Sequence, residues 1–325
     1  MMDKPTTCTN LRMDVPDTGT DDSFARDFLA GLSATPKTIA CKYFYDAEGS
    51  RLFDRICELP EYYQTRTETA LLQQYAPEMA RVMGEHVELI ELGAGALTKV
   101  RMLLDALKEP RAYLPIDISG DYLREVVREL AADYPNVRMN PVVADFTKPI
   151  SLPPRSFGSR RAGFFPGSTI GNFTTDEAVR LLQSVAAMLK GGGLLIGFDI
   201  VKDPALFHAA YNDSAGVTAA FNKNLLARAN RELGVDFDLD AFAHYAPYNP
   251  NRARVEMYLV SLINQRVNVG GETIAFAKGE PVHTENSHKF TRESFTALAR
   301  KAGFTARQFW TDPQEIFALA WLEPG

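Results

Sequence analysis

Cysteine is scarce in this chain of 325 residues. Cys8, Cys41 and Cys57 are too few and too scattered for a disulfide framework or a zinc site. No apolar run approaches the length of a membrane span, and the N-terminus has no apolar core of a secretion signal. These absences predict a protein of the reducing cytoplasm, without a metal centre.

Basic residues are outnumbered as well, with 35 Lys and Arg against 41 Asp and Glu and a net charge of −6. This balance argues against general affinity for nucleic acid or an anionic membrane, which requires a basic face. Hydrophobic residues make up 46% of the chain, enough for one large domain or two modest ones. Residues 1–22 are rich in Thr, Asp and Pro, and we expect them to form a disordered lead-in.

The middle of the chain alternates strand-like and helix-like segments, which is typical of an α/β fold with a parallel sheet. The strand-like runs are short, apolar and without alternation, as expected when helices cover both faces of a sheet. They are residues 86–92, 112–117, 139–146, 162–168 and 192–200. Helical patterns follow at 97–108, 120–135 and 176–190, and residues 304–323 suit two closing strands.

Two pieces depart from this rhythm: residues 23–66, before the first strand, and residues 203–289, where helical and strand-like stretches interrupt the pattern. We interpret them as one second domain of α+β type. The nucleotide-type domain then consists of residues 67–202 and 290–325. A ligand is expected in the mouth between the two domains.

The first strand ends in a glycine turn, "ELGAG", where Gly93 and Gly95 allow the backbone to approach a ligand closely. Asp117 ends the second strand, placed to bind ribose hydroxyls, and Asp145-Phe146 ends the third, placed for an adenine ring. Each feature alone is as consistent with an ordinary turn, but together they favour a cofactor site. Thr98 stands where an NAD enzyme needs a third glycine, so S-adenosylmethionine fits better than NAD.

The fourth strand leads into "FFPGSTIGNF", where Pro and Gly residues predict a shaped loop rather than a helix start. In a methyltransferase this position is where the acceptor substrate meets the cofactor. Asn172 offers both a donor and an acceptor, which suits the amine and carboxylate of an amino acid. An asparagine in a loop is also a common turn residue, so this feature alone decides nothing.

Five stretches together resemble the S-adenosylmethionine-dependent histidine Nα-methyltransferases of ergothioneine biosynthesis. The resemblance runs from about residue 23 to the C-terminus. It implies a class I methyltransferase domain with a family-specific substrate domain, and conversion of histidine to trimethylhistidine (hercynine). The stretches are "KYFYDAEGSRLFDRICELPEYYQTRTE", "ELGAGALTKVRMLLDAL", "FPGSTIGNFT", "YNDSAGVTAAFNKNLL" and "TENSHKF".

The resemblance also implies roles for individual residues. Around the cofactor it places Gly93, Gly95, Lys99, Asp117, Asp145 and Phe146. The backbone groups of the amino acid are assigned to Tyr62, Asn172 and Tyr211, with Tyr45 nearby. The imidazole is assigned to Glu285 and Ser287, and Met257 is expected against its ring. No general base is evident; Tyr45, or a water that it holds, is the candidate proton relay, so Tyr45 and Asn172 are the expected catalytic residues.

The segment "HTENSHKFT" (283–291) contains two histidines and raises the possibility of a metal site. Strand alternation predicts that His283 and His288 lie on opposite faces, which disfavours joint ligation, and that Glu285 and Ser287 share one face. Asn286 replaces an apolar residue of the family pattern, and the turn reads Gly-Ala-Gly instead of Gly-Ser-Gly.

Other interpretations remain open from the sequence. They are an N-methyltransferase of another aromatic amino acid such as tryptophan, an NAD(P)-dependent oxidoreductase, and a non-catalytic S-adenosylmethionine-binding protein. We expect a small-molecule amino-acid substrate, no nucleic-acid or membrane partner, and a monomer.

Overall fold

The computed structural model describes residues 22–95 and 97–325. The α-helices of this part of the chain are α1 (Asp22–Ser33), α2 (Ala47–Glu58), α3 (Tyr63–Met83), α4 (Thr98–Ala106), α5 (Gly120–Asp133), α6 (Thr175–Leu189), α7 (Pro204–Tyr211), α8 (Val217–Leu233) and α9 (Arg292–Lys301). Short 3-10 helices occupy Cys41–Phe44, Thr169–Asn172 and Leu239–Ala241.

The strands are β1 (Lys37–Thr38), β2 (Val87–Leu92), β3 (Ala112–Asp117), β4 (Arg138–Met139), β5 (Val142–Val143), β6 (Arg160–Phe165), β7 (Leu194–Asp199), β8 (Phe242–Tyr245), β9 (Tyr248–Asn249), β10 (Arg254–Ser261), β11 (Gln265–Val269), β12 (Glu272–Phe276), β13 (Pro281–His288), β14 (Phe304–Thr311) and β15 (Phe317–Pro324).

The larger sheet runs in the order β14-β15-β7-β6-β2-β3-β4, with β5 also paired to β3. Strands β2 to β7 pair in parallel, whereas β15 is antiparallel to β7 and to β14. From β2 the chain moves outward to β3 on one side and later returns to β6 on the other. Ligands of open α/β sheets bind at the carboxyl ends of the strands beside such a reversal.

The predicted strands of this sheet are confirmed with one difference. Every residue of β2 and of β7 is buried, because helices cover both faces of the sheet. The third predicted strand, residues 139–146, is instead two short strands, β4 and β5. Pro141 lies between them, and since proline has no backbone N–H it interrupts the ladder.

A second sheet runs in the order β1-β13-β10-β8, with β9 on β10, and β11 and β12 form a separate hairpin. The strand-like stretch of residues 254–269, within the interrupting piece 203–289, is therefore divided. Its first half is β10, in the centre of the second sheet, and its second half is β11, in the hairpin. Leu262 and Ile263, between the two halves, are exposed.

The insertion that carries this second sheet leaves and returns at adjacent points. Ile200 and Phe290 form a parallel bridge. The Val201 N–H donates to the Phe290 carbonyl at 3.0 Å, and the Phe290 N–H donates to the Asp199 carbonyl at 2.9 Å. Because its two ends are joined in this way, the insertion extends from the carboxyl end of β7 without disturbing the larger sheet.

Buried apolar side chains form three clusters. Two cover the two faces of the larger sheet. The third draws its buried members from residues 24–63 and 207–282, with Phe28, Phe44 and Phe242 among those that are fully buried. Helix α3 crosses the predicted domain boundary after residue 66: Tyr63 belongs to the third cluster and Leu71 to a sheet cluster. The division into domains stays a prediction.

The predicted lead-in falls outside the described residues, except that α1 already begins at Asp22. Within residues 22–95 and 97–325, no helix combines the length and apolar character needed to cross a membrane.

Candidate active site

The glycine turn after β2 lies beside the predicted adenine site. The N–H of Gly93 donates to the carbonyl of Ile116 at 2.9 Å, which ties the turn to the end of β3. Gly93 has a φ of +68°, which favours glycine, and a Cβ there would lie 3.6 Å from the Phe146 ring. The turn and Phe146 thus face each other across a narrow gap.

The two strand-end carboxylates are held by their own loops. Asp117 accepts hydrogen bonds from the N–H groups of Ser119 at 2.8 Å and Gly95 at 3.3 Å. Burial raises the pKa of Asp117 above its usual value, against the lowering effect of these donors. Asp145 accepts from the Thr147 N–H at 3.0 Å. Both carboxylates therefore have fixed positions before any ligand binds.

A buried carboxylate that the sequence did not single out joins this edge to the loop after β6. Glu68, on α3, is fully buried. It accepts from the Lys99 ammonium at 2.6 Å and from the Gly167 N–H at 2.9 Å. Burial alone lowers the pKa of Lys99, but the Glu68 carboxylate more than offsets this and the pKa is raised. Glu68 thus holds a predicted cofactor residue and the substrate loop together.

A cavity lies between the loop after β6 and the second sheet. Its empty volume, the open mouth included, is about 530 Å³. It brings together seven of the residues predicted for substrate binding and catalysis. They are Tyr45, Tyr62, Asn172, Tyr211, Met257, Glu285 and Ser287.

Strands β10 and β13 form the wall that carries Met257, Glu285 and Ser287. Met257 pairs with Glu285 across the two strands. Glu285 and Ser287 are two residues apart in β13 and both line the cavity, as the alternation predicts. All three side chains are buried.

A β-bulge changes the face on which His283 lies. The register between β10 and β13 shifts by one residue at this point. Met257 pairs with Glu285, but the next residue, Tyr258, pairs with His283, so Thr284 is the extra residue in β13. His283 therefore lies on the same face as Asn286, whose side-chain oxygen is 3.0 Å from its Nε2. The prediction that His283 and His288 occupy opposite faces is wrong, because the bulge shifts the alternation by one residue.

The loop after β6 packs directly against this wall. A Cβ on Gly171 would lie 2.7 Å from the His288 carbonyl oxygen, so only glycine permits the approach. The His288 Nδ1 lies 2.9 Å from the Gly171 carbonyl oxygen and closes the contact. This docking brings the Asn172 amide to 3.4 Å from the Glu285 carboxylate.

The cavity is electrostatically unusual at Glu285. Burial raises the pKa of Glu285 to about 7, and the nearby Lys289 only partly counters this effect. Burial, followed by the negative charge of Glu285, holds the pKa of Tyr45 well above its usual range. Burial also raises the pKa of Tyr62 well above its usual range. The tyrosines are thus neutral hydroxyls around a carboxylate that lacks a close cation.

Behind the cavity wall lies a buried ammonium group. Lys289 contacts Asp199 at 2.8 Å and donates to the Tyr211 hydroxyl at 2.9 Å and the Ser287 hydroxyl at 2.8 Å. The Tyr211 and Ser287 hydroxyls are themselves 2.7 Å apart. Asp199 also accepts from the Tyr63 hydroxyl at 2.7 Å and pairs with Lys202. Tyr211 is thus joined to the Ser287 end of the cavity.

With this geometry in place, comparison with known proteins is decisive. A family model described as "Histidine-specific methyltransferase, SAM-dependent" matches residues 24–324. The chain belongs to this family. The match confirms the resemblance, the methyltransferase fold class and the enzymatic activity predicted from the sequence.

Individual relatives agree. The chain is 43% identical over 305 residues to the histidine N-alpha-methyltransferase of Mycolicibacterium smegmatis, covering 92% of this chain and 94% of that one. It is 42% identical over 301 residues to the protein of the same name from Mycobacterium tuberculosis, covering 91% and 93%. It is also 29% identical over 286 residues to ergothioneine biosynthesis protein 1 of Neurospora crassa, covering 85% of this chain and 32% of that one.

The family is S-adenosylmethionine-dependent, and the residues at the strand ends fit that cofactor. The Phe146 ring lies beside the glycine turn, and the Asp117 carboxylate is a suitable acceptor for hydroxyl groups. Lys99 supplies a cation close to the substrate loop. Among the described residues, no group of three or more His, Cys, Asp or Glu side chains is arranged to bind a metal ion.

Sequence reasoning missed Glu68 and Asp199, and it gave Lys289 no role. Glu68 and Lys289 both lie in stretches that carry the family resemblance. Glu68 ends the stretch 42–68 and Lys289 lies within "TENSHKF", but the resemblance assigned neither a role. For Asp199 the available signal was chemical, since a charged residue at the end of the apolar run 194–198 requires a buried partner. The partner lies more than 30 residues away for Glu68 and about 90 away for Lys289.

Proposed function

We propose that this enzyme transfers methyl groups from S-adenosylmethionine to the α-amine of L-histidine and yields Nα-trimethylhistidine for ergothioneine-type biosynthesis. The observation that carries the proposal is the joint placement of Glu285 and Ser287 on the cavity wall beside Asn172 of the loop after β6. Two polar groups on one strand face suit the two nitrogens of an imidazole. The family and the relatives named for histidine methylation and ergothioneine biosynthesis support it.

The bound cofactor supplies an electrophilic methyl group on its sulfonium. We assign Asp117 to its ribose hydroxyls, and Asp145 with Phe146 to its adenine. Gly93 and Gly95 let the backbone approach closely, and Lys99 attracts its carboxylate end. The loop hydrogen bonds of Asp117 and Asp145 support these assignments, because carboxylates that are already fixed lose little freedom on binding.

We assign Tyr62 and Asn172 to the backbone groups of the amino acid. Asn172 is the residue that touches both sides of the cavity, since it belongs to the loop after β6 and its amide reaches Glu285. Tyr211 contributes its ring to the cavity, and its hydroxyl is engaged by Ser287 and Lys289. We therefore place Tyr211 at the side-chain end of the substrate rather than at its backbone groups.

Glu285 accepts an imidazole N–H in this proposal. A carboxylate acceptor makes a charge-assisted hydrogen bond, about twice as strong as a neutral one. The apolar side chain of Met257 pairs with Glu285 and lies against the ring. A site with a buried carboxylate disfavours a ring that offers no N–H, because the carboxylate then remains unpaired.

Catalysis in this site depends mainly on alignment and the exclusion of water. Holding two reactants in near-attack geometry contributes roughly 7–11 kcal/mol to lowering the barrier. The amine must also lose a proton, since a free α-amine is largely protonated at neutral pH. The raised pKa of Tyr45 keeps its hydroxyl neutral. In this proposal Tyr45 relays the proton, because its oxygen accepts the amine proton while its own hydrogen passes to water.

The direct test is incubation of the purified protein with L-histidine and S-adenosylmethionine, followed by mass spectrometry of the products. We expect mono-, di- and trimethylated histidine in succession, with trimethylhistidine as the end product. Parallel incubations with tryptophan and phenylalanine should yield far less product. Accumulation of monomethylhistidine alone would contradict the trimethylation, and preferred turnover of tryptophan would contradict the substrate.

The cytoplasmic location and the monomeric state remain predictions. The first rests on cysteine usage, and in the described chain Cys41 and Cys57 are free thiols, while Cys8 lies outside it. Gel filtration of the purified enzyme tests the second.

A further inference from the structure

We propose that Lys289 is a specificity-determining positioning residue, which fixes the direction of hydrogen bonding at the end of the cavity and makes Ser287 an obligatory donor toward the substrate ring. This inference rests on the proposed function, because it concerns the ring that the same cavity accepts. It assigns a task to a residue that has no contact with the cavity volume itself.

The first step is the number of donors on Lys289. An ammonium group has three N–H donors and no acceptor. Its partners are Asp199, Tyr211 and Ser287, all within 2.9 Å. The side chain has no exposed surface, so water does not compete. Both hydroxyl oxygens therefore accept from Lys289.

The second step follows the two hydroxyl hydrogens. Tyr211 and Ser287 are 2.7 Å apart, so one of them donates to the other. Since Lys289 only donates, the remaining hydroxyl hydrogen cannot point toward it. The pair therefore presents a single hydrogen to the cavity.

The third step decides which residue presents it. A phenol is a stronger hydrogen-bond donor than an aliphatic alcohol, so Tyr211 gives its hydrogen to Ser287. The Ser287 oxygen then accepts from both Tyr211 and Lys289. Ser287 then directs its own hydrogen into the cavity.

The consequence is a matched pair of groups on one strand face. Glu285 accepts and Ser287 donates, and a neutral imidazole carries one N–H and one acceptor nitrogen. An indole or a pyrrole has an N–H but no acceptor nitrogen, so it leaves the Ser287 hydrogen unpaired. The selection of a ring with two different nitrogens thus originates in the buried lysine.

Removal of Lys289 is structurally tolerable because Asp199 keeps two other partners. The Tyr63 hydroxyl donates to Asp199, and Lys202 pairs with it. Without the ammonium, the lone pairs of Ser287 and Tyr211 are free, and Ser287 can turn its hydrogen away from the cavity. Lys289→Met is therefore the informative variant, because it removes the donors while keeping a long unbranched side chain.

The experiment compares kcat/KM for histidine with that for the better of the two pyrrolylalanines, in which one ring nitrogen is replaced by C–H. In the wild type we expect a preference for histidine of roughly 10–100-fold, the cost of one unpaired buried donor. In Ser287→Ala and in Lys289→Met this preference should fall to within about threefold. The double variant should fall no further, because both changes remove the same donor.

Lys202→Met is the matched control, since it removes the other buried ammonium from Asp199 but leaves Lys289 on Ser287, and the preference should remain. A purely structural role for Lys289 would lower kcat/KM for both substrates in parallel and add to the effect of Ser287→Ala. Either result, or an unchanged preference in Lys289→Met, overturns the inference. Should Lys289→Met fail to fold, Lys289→Leu replaces it, because it also offers no donor to Ser287. A retained preference in Lys289→Leu also overturns the inference.

Failure of the proposed function is a different result. A wild type that does not methylate histidine refutes the function itself. A wild type that methylates histidine, with a preference insensitive to Lys289, refutes only the role of the lysine.

Discussion

The two ends of the site are built by different means. At the cofactor end, the polar groups follow β2, β3 and β5 directly, and each acidic side chain is bonded to N–H groups within its own loop or the next one. At the substrate end, the groups come from α3, α7, β10 and β13. Tyr211 is hydrogen-bonded there to Ser287 and to Lys289, which lie more than 70 residues further along the chain. The cofactor end depends on local geometry, and the substrate end depends on the tertiary fold.

This difference extends to the charges. The carboxylates of Asp117 and Asp145 accept hydrogen bonds from backbone N–H groups. Glu285 instead faces a cavity, where its one donor among the described residues is the Asn172 amide at 3.4 Å. Lys289 behind it is fully paired. This contrast between a paired cation and an under-paired carboxylate supports our proposal that the substrate supplies the missing partner of Glu285.

The largest effect should come from Glu285→Ala at the substrate end. Sites built around a substrate N–H reject an analogue lacking that group by on the order of 10⁴-fold, whereas pockets that sense only size achieve roughly 10–200-fold. The substitution should therefore sharply cut kcat/KM for histidine, while activity on phenylalanine, whose ring offers no N–H, holds or rises. Asn286→Ala, on the opposite strand face, is the control. A parallel fall for both substrates would show that Glu285 is structural or transfers protons.

At the cofactor end, Asp117→Ala should weaken S-adenosylmethionine binding by roughly 10–100-fold, because charged hydrogen bonds contribute about 1.5–3 kcal/mol. Calorimetry measures the dissociation constant of S-adenosylmethionine directly, and circular dichroism checks that the variant is folded. Asp121→Ala, at an exposed position in the next helix, should leave the affinity unchanged. Unchanged affinity in a folded Asp117→Ala protein would refute the assignment.

Glu68→Gln tests whether the two ends are separate. Because Glu68 holds both Lys99 and the Gly167 N–H, its loss should weaken cofactor binding and raise KM for histidine, each by roughly tenfold. Glu78→Gln on the same helix, which contacts Trp310 instead, should change neither constant. A change in cofactor binding alone, or in KM for histidine alone, would show that Glu68 does not couple the two ends of the site.

The smallest predicted effect is a pH dependence at Glu285. Its pKa is raised from 4.5 to about 7, so the folded protein binds more protons than the unfolded chain between these values. The free energy of unfolding of the ligand-free protein should therefore fall as the pH rises through this window. Glu285→Gln should remove this part of the pH dependence. The advantage in Tm of Glu285→Gln over the wild type should thus grow from about pH 5 to about pH 8. A constant difference would contradict a carboxylate that is buried and under-paired.

The sequence predicts the features that depend on local geometry better than those that depend on the tertiary fold. β2, β3 and the residues that end them could be identified because a strand, a glycine turn and a helix are adjacent in the chain. The break between β4 and β5 at Pro141 could also be predicted, because proline lacks the N–H that a strand ladder requires. The bulge at Thr284 could not be predicted, because it depends on the register between β10 and β13. The pairs Glu68–Lys99 and Asp199–Lys289 join distant segments, so only the fold reveals them.

The central claim is that the substrate end selects an imidazole. The most direct measurement is calorimetric titration of the wild type, with S-adenosylhomocysteine present, using histidine, trimethylhistidine and tryptophan. We expect histidine and trimethylhistidine to bind and tryptophan to bind at least about 100-fold more weakly, since its ring leaves a buried polar group unpaired. Tryptophan binding as tightly as histidine, or more tightly, would contradict the account.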